Sequence, residues 1–147
     1  MRKSKVKEEK TIALFVDGPN MLRKEFMIDL RELRRIAGRY GRVMIAKVFL
    51  NQFAPEKLIE AVINEGFEPV MVLGENEESD VDVAMATEIM ETVLTKNVDF
   101  IGIVTRDADF IPVIQKVKSY GKKTVLFCVE PGSSAGLKNS ADYVELL

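Results

Sequence analysis

Five aspartates stand at three points of the chain: Asp17 at the end of TIALFVD (11–17), Asp80 and Asp82 at the start of VDVAMATEIMETVLTK, and Asp107 and Asp109 within TRDADF (105–110). No histidine occurs anywhere. The usual general base, the Ser–His and Cys–His pairs and the nitrogen ligands of zinc are therefore missing. Hydrolytic chemistry in this chain must run on carboxylates, lysine or a metal. Several carboxylates without histidine suit the hard, oxygen-seeking ions Mg²⁺ and Mn²⁺. Such an ion both neutralises a phosphodiester and lowers the pKa of a bound water. Taken singly, each acid has a second reading: Asp82 as a helix N-cap, Asp107 or Asp109 as caps of the helix that follows. Taken together that account weakens. Asp17 precedes Gly18-Pro19 at a strand end, Asp107 and Asp109 stand one residue apart, and like charges gathered at one edge are costly unless a cation joins them.

The elements that would gather these acids are legible in the hydrophobic pattern. Apolar, β-branched runs at 11–17, 43–50, 67–73, 99–105 and 123–129 read as strands. Between them lie amphipathic or apolar helical patterns from about 28 to 40, 55 to 65, 81 to 96 and 108 to 121. Pro69 inside the third strand argues for an edge position. In the third helical pattern Val83, Met85, Ala86, Ile89, Met90 and Val93 suit a largely buried helix. PGSSAG (131–136) reads as a loop after the fifth strand, followed by a short C-terminal segment. Strands alternating with helices specify an α/β fold, a mainly parallel sheet covered by helices on each face. Ligands of such sheets collect beyond the carboxyl ends of the strands, where strand order reverses. All three acidic groups fall there.

The 147 residues are 47% hydrophobic and 30% charged, the balance of one globular domain, expected over 11–147 behind a charged tail at 1–10. No apolar run approaches the ~20 residues of a membrane span, and MRKSKVKEEK carries no signal-peptide hydrophobic region, so no membrane association and a cytoplasmic location are expected. The single Cys128, inside TVLFCV, reads as a buried thiol and excludes an intrachain disulfide. Net charge is only −2, yet residues 1–50 hold 13 Lys/Arg against 6 Asp/Glu and residues 51–100 hold 2 against 12. That asymmetry leaves room for a basic flank, and Arg2, Lys3, Lys5, Lys7 and Lys10 could attract a nucleic-acid backbone without sequence preference.

VDGPN (16–20), VDVAMA (81–86) and TRDADF (105–110) resemble, in order and spacing, the three motifs of the NYN domain family, which includes LabA-like proteins and is related to PIN nucleases. The resemblance runs from Thr11 to Leu147. It implies a five-stranded sheet of PIN-like order 3-2-1-4-5 in an α/β/α three-layer sandwich. It also implies a metal-dependent nuclease centre in which Asp17, Asp82, Asp107 and Asp109 hold Mg²⁺ or Mn²⁺, with Asn20 orienting a ligand, water or phosphate beside Asp17. Thr105 would aim its hydroxyl into the site. RNA is expected over DNA through family analogy.

The sequence departs from the family at Ser79-Asp80, where many relatives carry Lys-Gly, and at Arg106, where glycine is common. Arg106 could replace the missing positive charge beside the phosphate. Ser133 and Ser134 of the PGSSAG loop could contact phosphate as well, a plain connecting loop being the other reading. Glu88 lies six residues beyond Asp82, well round the helix, and ranks below the other acids. Two further functions stay open: a binding or regulatory module with an acidic pocket but little turnover, acting with a protein partner, and a domain that phosphorylates Asp17. A homodimer is allowed by the sequence and demanded by no residue.

Overall fold

The computed structural model describes residues 9–22 and 28–147. Arg2, Lys3, Lys5 and Lys7 lie outside the described residues. Lys10, at the mouth of the first strand, is exposed, 3.9 Å from Asp99.

The central strand β1, Thr11–Asp17, is buried over all seven residues. Its alternation explains why. Ala13 and Phe15 point into one apolar cluster, and Ile12, Leu14 and Val16 into another. The second cluster is closed by α2, Leu30–Ala37, and α3, Glu56–Asn64. Asp29 starts α2 by accepting from the Arg31 and Glu32 amides, and Leu33 and Ile36 then fall on the inner face. The first cluster is closed by α4, Asp82–Thr95, and α5, Ile111–Ser119, through Met85, Ile89, Ile114 and Val117. A strand apolar on both faces is what a parallel sheet requires.

The sheet has β2 at Arg42–Asn51, β3 at Glu68–Val72, β4 at Phe100–Val104, β5 at Lys123–Cys128 and β6 at Tyr143–Leu146. Their order is β3-β2-β1-β4-β5-β6, with every neighbouring pair parallel. Among the described residues the sheet therefore has six strands, not the five expected. β6 pairs with β5 from Val125–Tyr143 to Cys128–Leu146. Its four residues are mostly exposed and carry no apolar alternation, which hid it in the sequence. Pro69 does lie in an edge strand, β3.

Two further expectations are corrected. The PGSSAG segment leads straight into a short helix, α6 at Ala135–Ser140, because the Ser134 hydroxyl caps it by accepting from the Leu137 amide. Val83 is 80% exposed, so α4 buries one face only, that of Met85, Ile89 and Val93.

Between β1 and β4 the order of strands reverses, and Val16 stands level with Val104. The next residues of each strand, Asp17 and Thr105, meet at that crevice.

Candidate metal centre

Asp17 ends β1 and caps α1, Gly18–Met21. Gly18 is required there, because a Cβ would stand 2.3 Å from the Phe49 carbonyl oxygen of β2. The turn thus folds tightly against the sheet and returns Asn20 over Asp17. Asp17 Oδ1 accepts from the Asn20 amide at 3.3 Å, and Oδ2 accepts from the Thr105 hydroxyl at 3.0 Å. Only 1% of Asp17 is exposed. Burial raises its pKa to about 6, against the Thr105 and Asn20 hydrogen bonds that lower it and helped by Asp107 and Asp80.

Thr105 is fully buried and works in two directions. While its hydroxyl donates to Asp17, its Oγ1 accepts from the Asp107 amide at 3.0 Å. Asp107 in turn caps a 3-10 turn, Ala108–Phe110, accepting from the Asp109 amide at 2.9 Å. The doubled aspartate is therefore one folded unit: the first acid starts the turn that presents the second.

Asp82 approaches from α4. It does not cap the helix, since the N-cap residue is Val81 and the first turn has no side-chain cap. Its Oδ1 is buried and, among the described residues, has no hydrogen-bond partner. Oxygens of Asp82, Asp107 and Asp109 all lie within 4.8 Å of one another. Desolvation, a hydrogen bond shared with Asp107, and the charges of Asp17, Asp107 and Asp80 push the Asp82 carboxyl up to about 8. A buried, partnerless oxygen beside two more carboxylates is a donor set that asks for a hard cation. Asp17 stands across the same small cleft of about 100 Å³, which Pro19, Asn20, Glu78, Asp80, Asp82 and Asp107 also line. The residues present fit Mg²⁺ or Mn²⁺.

The remaining candidates have definite places. Asn20 Oδ1 accepts from the Arg106 amide at 2.8 Å, and the Arg106 guanidinium donates to the Asn20 carbonyl at 3.3 Å. Arg106 also packs beneath Gly132, where a Cβ would come within 2.7 Å of its Nη1. It is half-buried and locks the motif of Asn20 to that of Asp107. Ser133 donates to the Val129 carbonyl and Ser134 caps α6, so both hydroxyls have structural partners. Glu88 pairs with Lys47 at 3.1 Å, further along α4 from the acids.

Asn51 was not singled out in the sequence. At the end of β2 and only 4% exposed, it donates to the carbonyls of Glu77 and Ser79 and so fixes the loop leading to Asp80 and Asp82. Ser79 supports the same loop by accepting from the Glu75 and Asn76 amides. An asparagine ending an apolar strand reads locally as a turn residue, and nothing nearby in the sequence signals its burial.

Among the described residues, no helix is long and apolar enough to cross a membrane. The chain is 54% identical over 140 residues to an uncharacterized protein, MJ0482, of Methanocaldococcus jannaschii, covering 95% of this chain and 56% of that protein. It thus spans little more than half of this relative's length. The crystal structure of a protein of unknown function, VPA0982, from Vibrio parahaemolyticus RIMD 2210633 superposes with a TM-score of 0.83 at 22% identity, covering 98% of this chain and 96% of the other, a likeness of fold. Residues 11–147 match the NYN domain, so the chain belongs to the NYN domain family, which includes PIN-like nucleases.

Proposed function

We propose that this protein is a metal-dependent nuclease hydrolysing phosphodiester bonds of RNA, RNA being preferred to DNA by analogy with the family. The observation that carries the reading is the buried, partnerless Asp82 Oδ1 set against Asp107 and Asp109. The two apolar clusters, one on each sheet face, support the PIN-like three-layer α/β/α arrangement that would hold such a centre at its strand ends.

Asp82, Asp107 and Asp109 would hold Mg²⁺ or Mn²⁺, with Asp17 as a further ligand across the cleft. When bound, the ion supplies charge neutralisation for the phosphate and a lowered pKa for water. The chain's own residues do the rest. Asp17, oriented by Thr105 and Asn20, aligns the attacking water and accepts its proton. Asn20, its carboxamide oxygen held by the Arg106 amide, faces the substrate with its remaining NH₂ donors. The half-buried Arg106 guanidinium, on the Asn20 carbonyl, adds positive charge beside Asn20.

The test is cleavage of end-labelled single-stranded and hairpin RNA, with matched DNA, in Mn²⁺, Mg²⁺ or EDTA. We expect metal-dependent cutting that Asp107→Asn abolishes while circular dichroism stays unchanged. Failure of well-folded, metal-loaded protein to cut any substrate would overturn the reading in favour of a binding module.

A further inference from the structure

Beside the aspartate cleft, on the far side of Pro19, lies a second and larger pocket of about 420 Å³, within the size range of small-molecule sites. The two adjoin, since Pro19 and Glu78 line both. Leu22, Leu50 and Leu58 give the larger pocket apolar walls, and Phe53, 47% exposed, stands on it with no packing duty in either core cluster.

The pocket is built rather than incidental. Its walls are the turn after β2, which carries Phe53, and the loop before α4, which carries Glu77 and Glu78. Two side-chain amides cross-pin them. Asn51 accepts from the Phe53 amide at 3.0 Å while donating to the Glu77 and Ser79 carbonyls. Gln52 donates to the Gly74 carbonyl at 2.6 Å and accepts from its amide at 2.7 Å. Pinning the backbones that carry an exposed aromatic ring on one wall and two glutamates on the other suits a flat ligand with an apolar face and an N–H edge. The rim carboxylates exclude a second phosphate.

We propose that this pocket receives the base of the nucleotide adjoining the phosphate over the aspartates, with Phe53 stacking on its face and Glu77 or Glu78 accepting from its edge. This rests on the nuclease reading above.

The chain has no tryptophan, so Phe53→Trp places its sole indole in the pocket. This variant, also carrying Asp107→Asn to hold turnover, is titrated with an eight-nucleotide single-stranded RNA and with the same backbone made abasic. Binding is followed in parallel by anisotropy of the labelled strand. We expect indole quenching by the base-bearing strand and none by the abasic one. Phe53→Ala should weaken RNA binding about tenfold, the loss of one stacked base, while Phe53→Tyr retains it. If RNA binds and Asp107-intact protein cleaves it, but quenching is absent or independent of bases, the pocket inference fails and the nuclease reading stands. Quenching that follows protein concentration without RNA, with a dimer mass in light scattering, assigns the pocket to a second copy and overturns the inference. Neither binding nor cleavage of RNA overturns both.

Discussion

The carboxylates differ sharply in what holds them. Asp17 is satisfied by Thr105 and Asn20, and its raised pKa reflects burial first. Asp82 has a buried oxygen with nothing to accept from, and its neighbours are acids. Replacing its carboxyl with an amide that never ionises should therefore relieve the metal-free fold, which near neutral pH must protonate that carboxyl in order to bury it. For Asp82→Asn we expect added stability on the order of 1 kcal/mol in EDTA, a Tm rise of about 4 °C for a chain of this size. Cleavage should meanwhile fall at least about a hundredfold, since even supporting-shell partners of a metal cost 10–100-fold. Paired thermal melts and cleavage rates check both; a variant less stable than wild type in EDTA would show that the hydrogen bond Asp82 shares with Asp107 outweighs the cost of burying its carboxyl. Thr105→Val keeps the volume but leaves Asp17 Oδ2 and the Asp107 amide unmatched. A loss of about 1–3 kcal/mol is expected from such buried orphans, and Thr105→Ser should recover most of it in a urea titration.

At the scale of elements, the connections aim the acids. Asn51→Ala releases the two carbonyls of the loop before α4, so Asp80 and Asp82 lose their support. We expect metal affinity, read by isothermal titration, to drop more than stability does, because the loop stays solvated while its end wanders. Ser134→Ala should instead cost about 1 kcal/mol as a lost N-cap and leave cleavage unchanged; a loss of rate would restore Ser134 to the phosphate. How far these elements could be read from sequence follows the same physics. β1, β4 and β5 announce themselves because a strand buried on both faces must be largely apolar, as β1 is from Ile12 to Val16, and β2 and β3 because their apolar, β-branched runs stand between turn signals. Asp17 and the Asp107–Asp109 pair were legible because, although each can cap the turn that follows it, acids gathered at three strand ends of one sheet edge are more than capping requires. β6 and α6 were not, since four mostly exposed residues and a six-residue helix owe their shape to β5 and to one serine cap. Asn51 escaped because its partners lie 26 and 28 residues away.

At the scale of the whole molecule, the parallel sheet brings groups 88 residues apart into contact, as Thr105 and Asp17 show, and stability is thereby coupled to the charge of the site. In the unfolded chain both carboxyls titrate near 3.9. Folding holds Asp17 up to about 6 and Asp82 up to about 8, burial being the largest cause for each. Between about pH 4 and 8 the folded protein therefore binds more protons than the unfolded one, and the metal-free protein should lose stability as pH rises through that window. A divalent cation favours the ionised carboxylates and competes with those protons. At a hundred times its dissociation constant it adds about 2.7 kcal/mol, and that constant should itself tighten from pH 6 to pH 8. Calorimetry of the same protein in Mn²⁺ and in EDTA should then show a Tm gap that widens with pH, because the EDTA sample falls while the Mn²⁺ sample holds. A gap that stays constant from pH 6 to 8 would mean that the ion binds away from Asp17 and Asp82, and the metal centre would have to be sought elsewhere on the molecule.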